Sequence, residues 1–282
     1  MESIKIIVCE GLERSYLEKI IKESPLKYDF KIDLYVLGDI KSCRDIAKKI
    51  GKKDRKSFIK AFKSGVHFSY SSGNKHIIVI FAKNDKEIIK NKNAFIGLLI
   101  HEIEHLHQNV IGNSKKIIKE LNPKIINLKK FKSEEKEIVR NVIESSIFLL
   151  KDLYSNTEII KKGFSKYILE YYATLFNSKK SCPEPRFYRN FKKEAERNPK
   201  IVEIVLKFEF ALLSISLPIF NLDRKKAAFL RRDISKCYEI NIREIVKRCH
   251  LISDAYKNSF SNKNFNRIYF NKVFEILFRV FE

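Results

Sequence analysis

The run His101-Glu102-Ile103-Glu104-His105 sets two imidazoles four residues apart, with a carboxylate beside the first. Residues four apart on a helix lie one above the other, so both rings can reach a single Zn²⁺. Glu102 is turned about 100° round the helix from His101. It reaches a water activated by the metal rather than the metal, where a carboxylate serves as general base. With 6 His and 24 Glu in 282 residues, chance would supply roughly 0.01 such H-E-x-x-H runs. Histidine is otherwise scarce, and three of the six fall between positions 101 and 107.

A catalytic zinc site takes three protein ligands, so one is still to be found. His107 is about 200° round the helix from His105 and points away. It reads as a surface residue or a support for a ligand. Downstream, Glu144, Asp152 and Glu170 are the candidate acids. In the helix expected over 133–156, the apolar stripe of Ile138, Val139, Val142, Leu149, Leu150 and Leu153 leaves Asp152 and Asn156 at its edge. Glu144 falls nearly opposite. Glu170 lies opposite the stripe of Ile168, Tyr171, Tyr172 and Leu175, which favours solvent for it. Asp152 leads, Glu170 is the alternative, and Asn156 stands one turn from Asp152 to orient it.

The elements that must hold these groups follow from the surrounding pattern. Ile96-Gly97-Leu98-Leu99-Ile100 makes the motif helix a buried one, capped by Asn93 and ended by Gly112. Before it, Val66–Tyr70 and His76–Phe81 flank Ser-Ser-Gly-Asn and spell a hairpin whose second strand is apolar on both faces. Further upstream the pattern predicts a helix over Glu10–Glu23 and a half-buried strand over 28–36. Basic helices over 41–50 and 54–63 follow, parted by Gly51. After residue 156, Gly163 punctuates and a helix is expected over 165–177. The fold class is α+β and mainly helical: a small sheet with its hairpin packed on the H-E-x-x-H helix, plus a helical C-terminal extension. Ser181-Cys182-Pro183-Glu184-Pro185 divides a domain 1–178 from a basic helical region 186–282.

From about Val66 to Phe176 the chain resembles the zincin metallopeptidases, in which a small sheet precedes an H-E-x-x-H helix and a later helix adds a third ligand. That resemblance implies zinc held by His101 and His105, Glu102 as catalytic base, and hydrolysis of peptide bonds in a peptide or protein substrate. Asp152-Leu-Tyr-Ser-Asn156 looks like the D-x-x-x-N/D element of several uncharacterised metallopeptidases. Glu170-Tyr-Tyr-Ala173 looks like the E-x-x-A of gluzincins, although Thr174 stands where those carry Asp. The third ligand stays open between the two. Glu104 departs from the family pattern, which prefers an uncharged residue there, and the metzincin continuation H-x-x-G-x-x-H is absent.

Composition bounds the alternatives. An apolar fraction of 44% excludes a disordered basic tail. Five scattered cysteines without C-x-x-C spacing exclude a disulfide-stapled secreted fold and lead to an expected cytoplasmic location. The net charge of +23 is built from 43 Lys and 14 Arg beside abundant Ile and Asn. Those residues share A/T-rich codons, and Lys-rich, Gln-poor usage also fits a thermophile. Residues 179–282 carry 23 basic and 12 acidic side chains, with 10 of the 14 arginines. There Arg231-Arg232, Arg243 and Lys247-Arg248 interleave with Phe260, Phe265, Tyr269 and Phe270. The rival reading is therefore a noncatalytic nucleic-acid-binding or scaffolding protein with a vestigial or structural metal. Aromatics at helical spacing are more often core, so nucleic acid is not favoured. His250 reads as a plain helix histidine, with transition-state stabilisation the sharper alternative. The longest apolar stretch, Phe210–Phe220, is broken by Ser214, Ser216 and Pro218. It falls short of the roughly 20 residues a membrane span needs.

Overall fold

The computed structural model describes residues 4–23, 29–52, 54–64, 67–82, 86–112, 151–152, 155–156 and 158–177. Met1–Ile111 and Glu158–Ser178 form one compact unit, and Gly112–Thr157 with Lys179–Glu282 form another. In the first unit the order is β1 (Ile4–Cys9), α1 (Arg14–Glu23), β2 (Ile32–Leu37), α2 (Ile40–Lys49), α3 (Arg55–Ser64), β3 (Phe68–Ser72), β4 (Lys75–Phe81), α4 (Lys86–Lys90), α5 (Lys92–Val110) and α6 (Ser165–Asn177). In the second, the described residues 151–152 and 155–156 are helical. The expected linker at 181–185, Glu144, His250 and the basic region 186–282 lie outside the described residues.

Helices and a small mixed sheet of four strands make this an α+β fold, with strand order β1-β2-β4-β3. β1, β2 and β4 run parallel, and β3 pairs antiparallel to β4. The hairpin follows the expected pattern: Gly73, at φ 56°, opens a two-residue turn between Ser72 and Lys75. β4 is buried from His76 to Phe81, as its two-faced apolar run requires. Tyr35, Leu37, Ile77, Val79 and Phe81 form one core cluster with Cys43 and Ile46 from α2, Ile50 just beyond its end, and Phe58 from α3. Ile78 and Ile80, alternating with these, are buried as well, so the sheet is covered on both faces. α5 packs on β3 and β4 and along α6.

Two features depart from expectation. The sequence reading has no strand before residue 28, yet β1 pairs with β2 in parallel. The helix expected from Glu10 starts only at Arg14. Gly11, at φ 75°, takes a backbone conformation that no helix continues. Glu10 is used otherwise: its Oε2 accepts from the backbone N–H groups of Gly38 (2.6 Å) and Asp39 (3.3 Å), and its Oε1 from the Ser42 hydroxyl. Asp39 in turn caps α2 by accepting from the Ser42 N–H at 2.9 Å. The ends of two parallel strands are thereby tied through one carboxylate.

No helix among the described residues is long and apolar enough to cross a membrane. Cys9 and Cys43 are free thiols, and burial raises the pKa of Cys43 to about 11.

Candidate metal centre

α5 starts one residue before the expected cap. Asn91, not Asn93, accepts from the Ala94 N–H at 3.2 Å. The choice between two nearby asparagines is made by α6. Asn91 Nδ2 donates to Glu170 Oε1 (3.1 Å) and to Thr174 Oγ1 (3.2 Å), which holds its side-chain oxygen toward the helix. At the other end Gly112, at φ 76°, closes the helix as expected. Between the caps every residue from Ala94 to Glu104 is buried.

Gly97 explains how α5 and α6 come so close. A Cβ there would stand 2.2 Å from the Tyr167 carbonyl oxygen and 2.8 Å from Tyr171 Cβ. No other residue fits that crossing without moving backbone. One turn later His101 meets the consequence, because the ring centroids of Tyr171 and Tyr172 lie 6.0 and 6.4 Å from its own. Both tyrosines are buried on α6, 5.0 Å apart.

Within this packed frame the motif residues take distinct positions. The Nε2 atoms of His101 and His105 stand 3.1 Å apart, with the rings nearly perpendicular at 86°. His101 and Glu102 are each only 7% exposed, and His105 is half-buried. Among the described residues, none donates a hydrogen bond to the Glu102 carboxylate. His101 and His105 on α5, and Asp152 in the second unit, are side chains of the metal-ligating type. Two imidazole nitrogens and a carboxylate oxygen make a donor set that could hold a metal ion. Glu170, the alternative ligand, bonds instead to the cap of α5, more than two turns before His101. Asn156 is buried, and Asp152 and Asn156 are each helical. Beside Asp152, burial pushes the Lys151 ammonium below its ordinary pKa, and the Asp152 charge partly restores it.

Glu104 has the least expected surroundings. Its side chain is 1% exposed, yet Lys162 Nζ donates to its Oε2 at 2.6 Å and His107 Nδ1 lies 3.1 Å from its Oε1. A carboxylate inside an apolar helix demands a cation, so its presence was a signal. Which of 43 lysines supplies it cannot be read locally, since Lys162 is 58 residues away.

No protein-family model, curated protein or solved structure matches this chain. The described residues form an α+β unit whose buried helix α5 brings two imidazoles together.

Proposed function

We propose that the chain is a zinc-dependent metallohydrolase of zincin type, a peptidase acting on peptide or protein substrates. What carries the reading is the meeting of His101 and His105 through their Nε2 atoms, 3.1 Å apart. Two nitrogens each about 2.0–2.1 Å from one tetrahedral zinc would stand roughly 3.3 Å apart. Asp152 supplies the third donor and is preferred over Glu170, whose carboxylate accepts from the cap of α5. Asn156 is the residue that orients Asp152. Zinc, when bound, supplies a Lewis acid that acidifies water and polarises the scissile carbonyl.

The remaining chemistry belongs to the chain. Glu102 accepts a proton from the attacking water and returns it to the leaving amine. It adjoins His101 in the sequence and is nearly buried, on the same helix as both imidazoles. Tyr171 and Tyr172 wall the His101 ring and exclude bulk water from it. Free Cys9 and Cys43 accord with a reducing cytoplasm as the working compartment.

Metal analysis and peptide cleavage test this directly. Wild-type protein should carry about one zinc per chain, and His101→Ala should lose it. Glu102→Gln should keep the metal while peptide cleavage drops about 10²- to 10⁴-fold. A wild-type protein that holds no zinc but binds DNA with a steep salt dependence would instead establish the nucleic-acid reading.

A further inference from the structure

We propose that the ion pair between buried Glu104 and the partly exposed Lys162 is a positioning device that sets the rotation of α5 about its own axis and so aims His101 and His105. The proposal rests on the metal-site reading above. It assigns work to a carboxylate that the zinc chemistry leaves unused.

The case begins with what stability alone would favour. Burying the Glu104 carboxylate costs desolvation that its attraction to the partly exposed Lys162 ammonium must offset, so an apolar residue of the same volume would serve stability as well. Glu104 is nonetheless 1% exposed, between the fully buried Ile103 and Leu106. Helix α5 needs something that apolar packing does not provide. Burial of hydrocarbon is non-directional, and a helix seated in an apolar groove tolerates small rotations at little cost. A charge-assisted hydrogen bond at 2.6 Å is directional. It connects the middle of α5 to one point on a neighbouring segment.

That point is itself well anchored. Lys162 ends the helical residues 158–161, where the Gly163 N–H donates to the Ile160 carbonyl and the Phe164 N–H to the Ile159 carbonyl. Gly163, at φ 82°, then turns the chain into α6. Lys162 is therefore held at a closed helix end, and its ammonium holds Glu104. His107 restrains the other carboxylate oxygen from one turn farther along α5. Glu104 adjoins His105 and lies three residues after His101, so any rotation it prevents is one that would swing both imidazoles.

The test compares Zn²⁺ affinity and the visible spectrum of the Co²⁺-loaded protein across wild type, Lys162→Met, and the double variant Glu104→Gln/Lys162→Met. Removing only Lys162 strands a buried charge, so that variant should lose thermal stability. The double variant removes both charges and should regain it. If the pair positions the histidines, the double variant still binds Zn²⁺ about 10- to 100-fold more weakly, with a shifted Co²⁺ spectrum despite recovered stability. Recovery of wild-type affinity and spectrum along with stability would overturn the proposal and leave the pair purely structural. Lys162→Arg and Lys162→Gln provide a second route if the double variant does not fold. Arg should keep wild-type affinity and Gln should not, and equal affinity in both would again overturn it. Failure of the wild type to bind either metal is a separate outcome, which removes the metal-site reading and this inference with it.

Discussion

The two halves of α5 are built on different principles. From Lys92 to Ile100 the helix is held by shape: a cap tied to α6, a glycine at the crossing, and buried aliphatic side chains. From His101 to Gln108 it carries polar groups that are buried or half-buried against the usual preference: two imidazoles facing each other and a carboxylate paired with a distant lysine. The first half could belong to any packed helix. The second is costly unless each polar atom has a purpose. The contrast teaches that the apolar half is the mount and the polar half the instrument. Damage to the mount should disable both, whereas damage to the instrument should leave the mount standing.

Gly97→Ala is the most severe test of that division. The added methyl would meet the Tyr167 carbonyl at 2.2 Å, and backbone cannot yield as a flexible side chain can. Overpacking at such a contact should cost about 3 kcal/mol or more, read as a fall in the denaturation midpoint. Metal binding should fall with it, because the same crossing sets Tyr171 and Tyr172 against His101. Full stability in Gly97→Ala would show that the two helices are not locked there. Glu102→Gln supplies the opposite case, with chemistry lost and the denaturation midpoint unchanged.

Asn91→Ala is the milder test of the same mount. Loss of the cap on the Ala94 N–H should cost about 1 kcal/mol. The Glu170 and Thr174 oxygens would also lose a donor. Since the cap is more than two turns from His101, zinc affinity should stay near wild type while the unfolding midpoint drops. A large loss of affinity would mean that the start of α5 controls its far end, blurring the division between its halves.

The parts legible in the sequence were those set by local patterns. The motif helix, the hairpin with its two-faced inner strand, and α6 from Ser165 to Asn177 all follow from periodicity and turn residues. The facing of His101 and His105 follows from their four-residue spacing, while helical angles put Asp152 at the edge of its stripe and left Glu170 as the alternative ligand. What escaped depends on partners far along the chain. β1 is six residues long, and its parallel pairing with β2 requires a crossover that no short window records. Asn91 outcompetes Asn93 because Glu170, 79 residues on, holds its amide. The same bond takes Glu170 from the solvent expected for it into a supporting role.

Histidine burial offers the finest version of the comparison, since it separates burial from function. His76 on β4 is 7% exposed, the same as His101. Its neighbours are ordinary: Nδ1 lies 3.0 Å from the Ser71 hydroxyl, and the Phe30 ring is 4.9 Å away. Desolvation lowers its pKa in the folded state. The sign follows from proton uptake. Below about pH 6.5 the unfolded chain protonates this histidine while the folded chain still resists, so the unfolded state binds more protons and stability falls with pH. Above that pH the histidine is neutral in both states and costs nothing. His76→Gln should therefore lose less stability than wild type between about pH 7.5 and pH 5.5, as read from urea midpoints, with zinc content unchanged at both ends. An equal acid loss in the two proteins would shift the proton uptake to other groups and leave His76 as inert packing. A loss of zinc would join the sheet histidine to the metal site, against the view that at equal burial the neighbours decide what a histidine does.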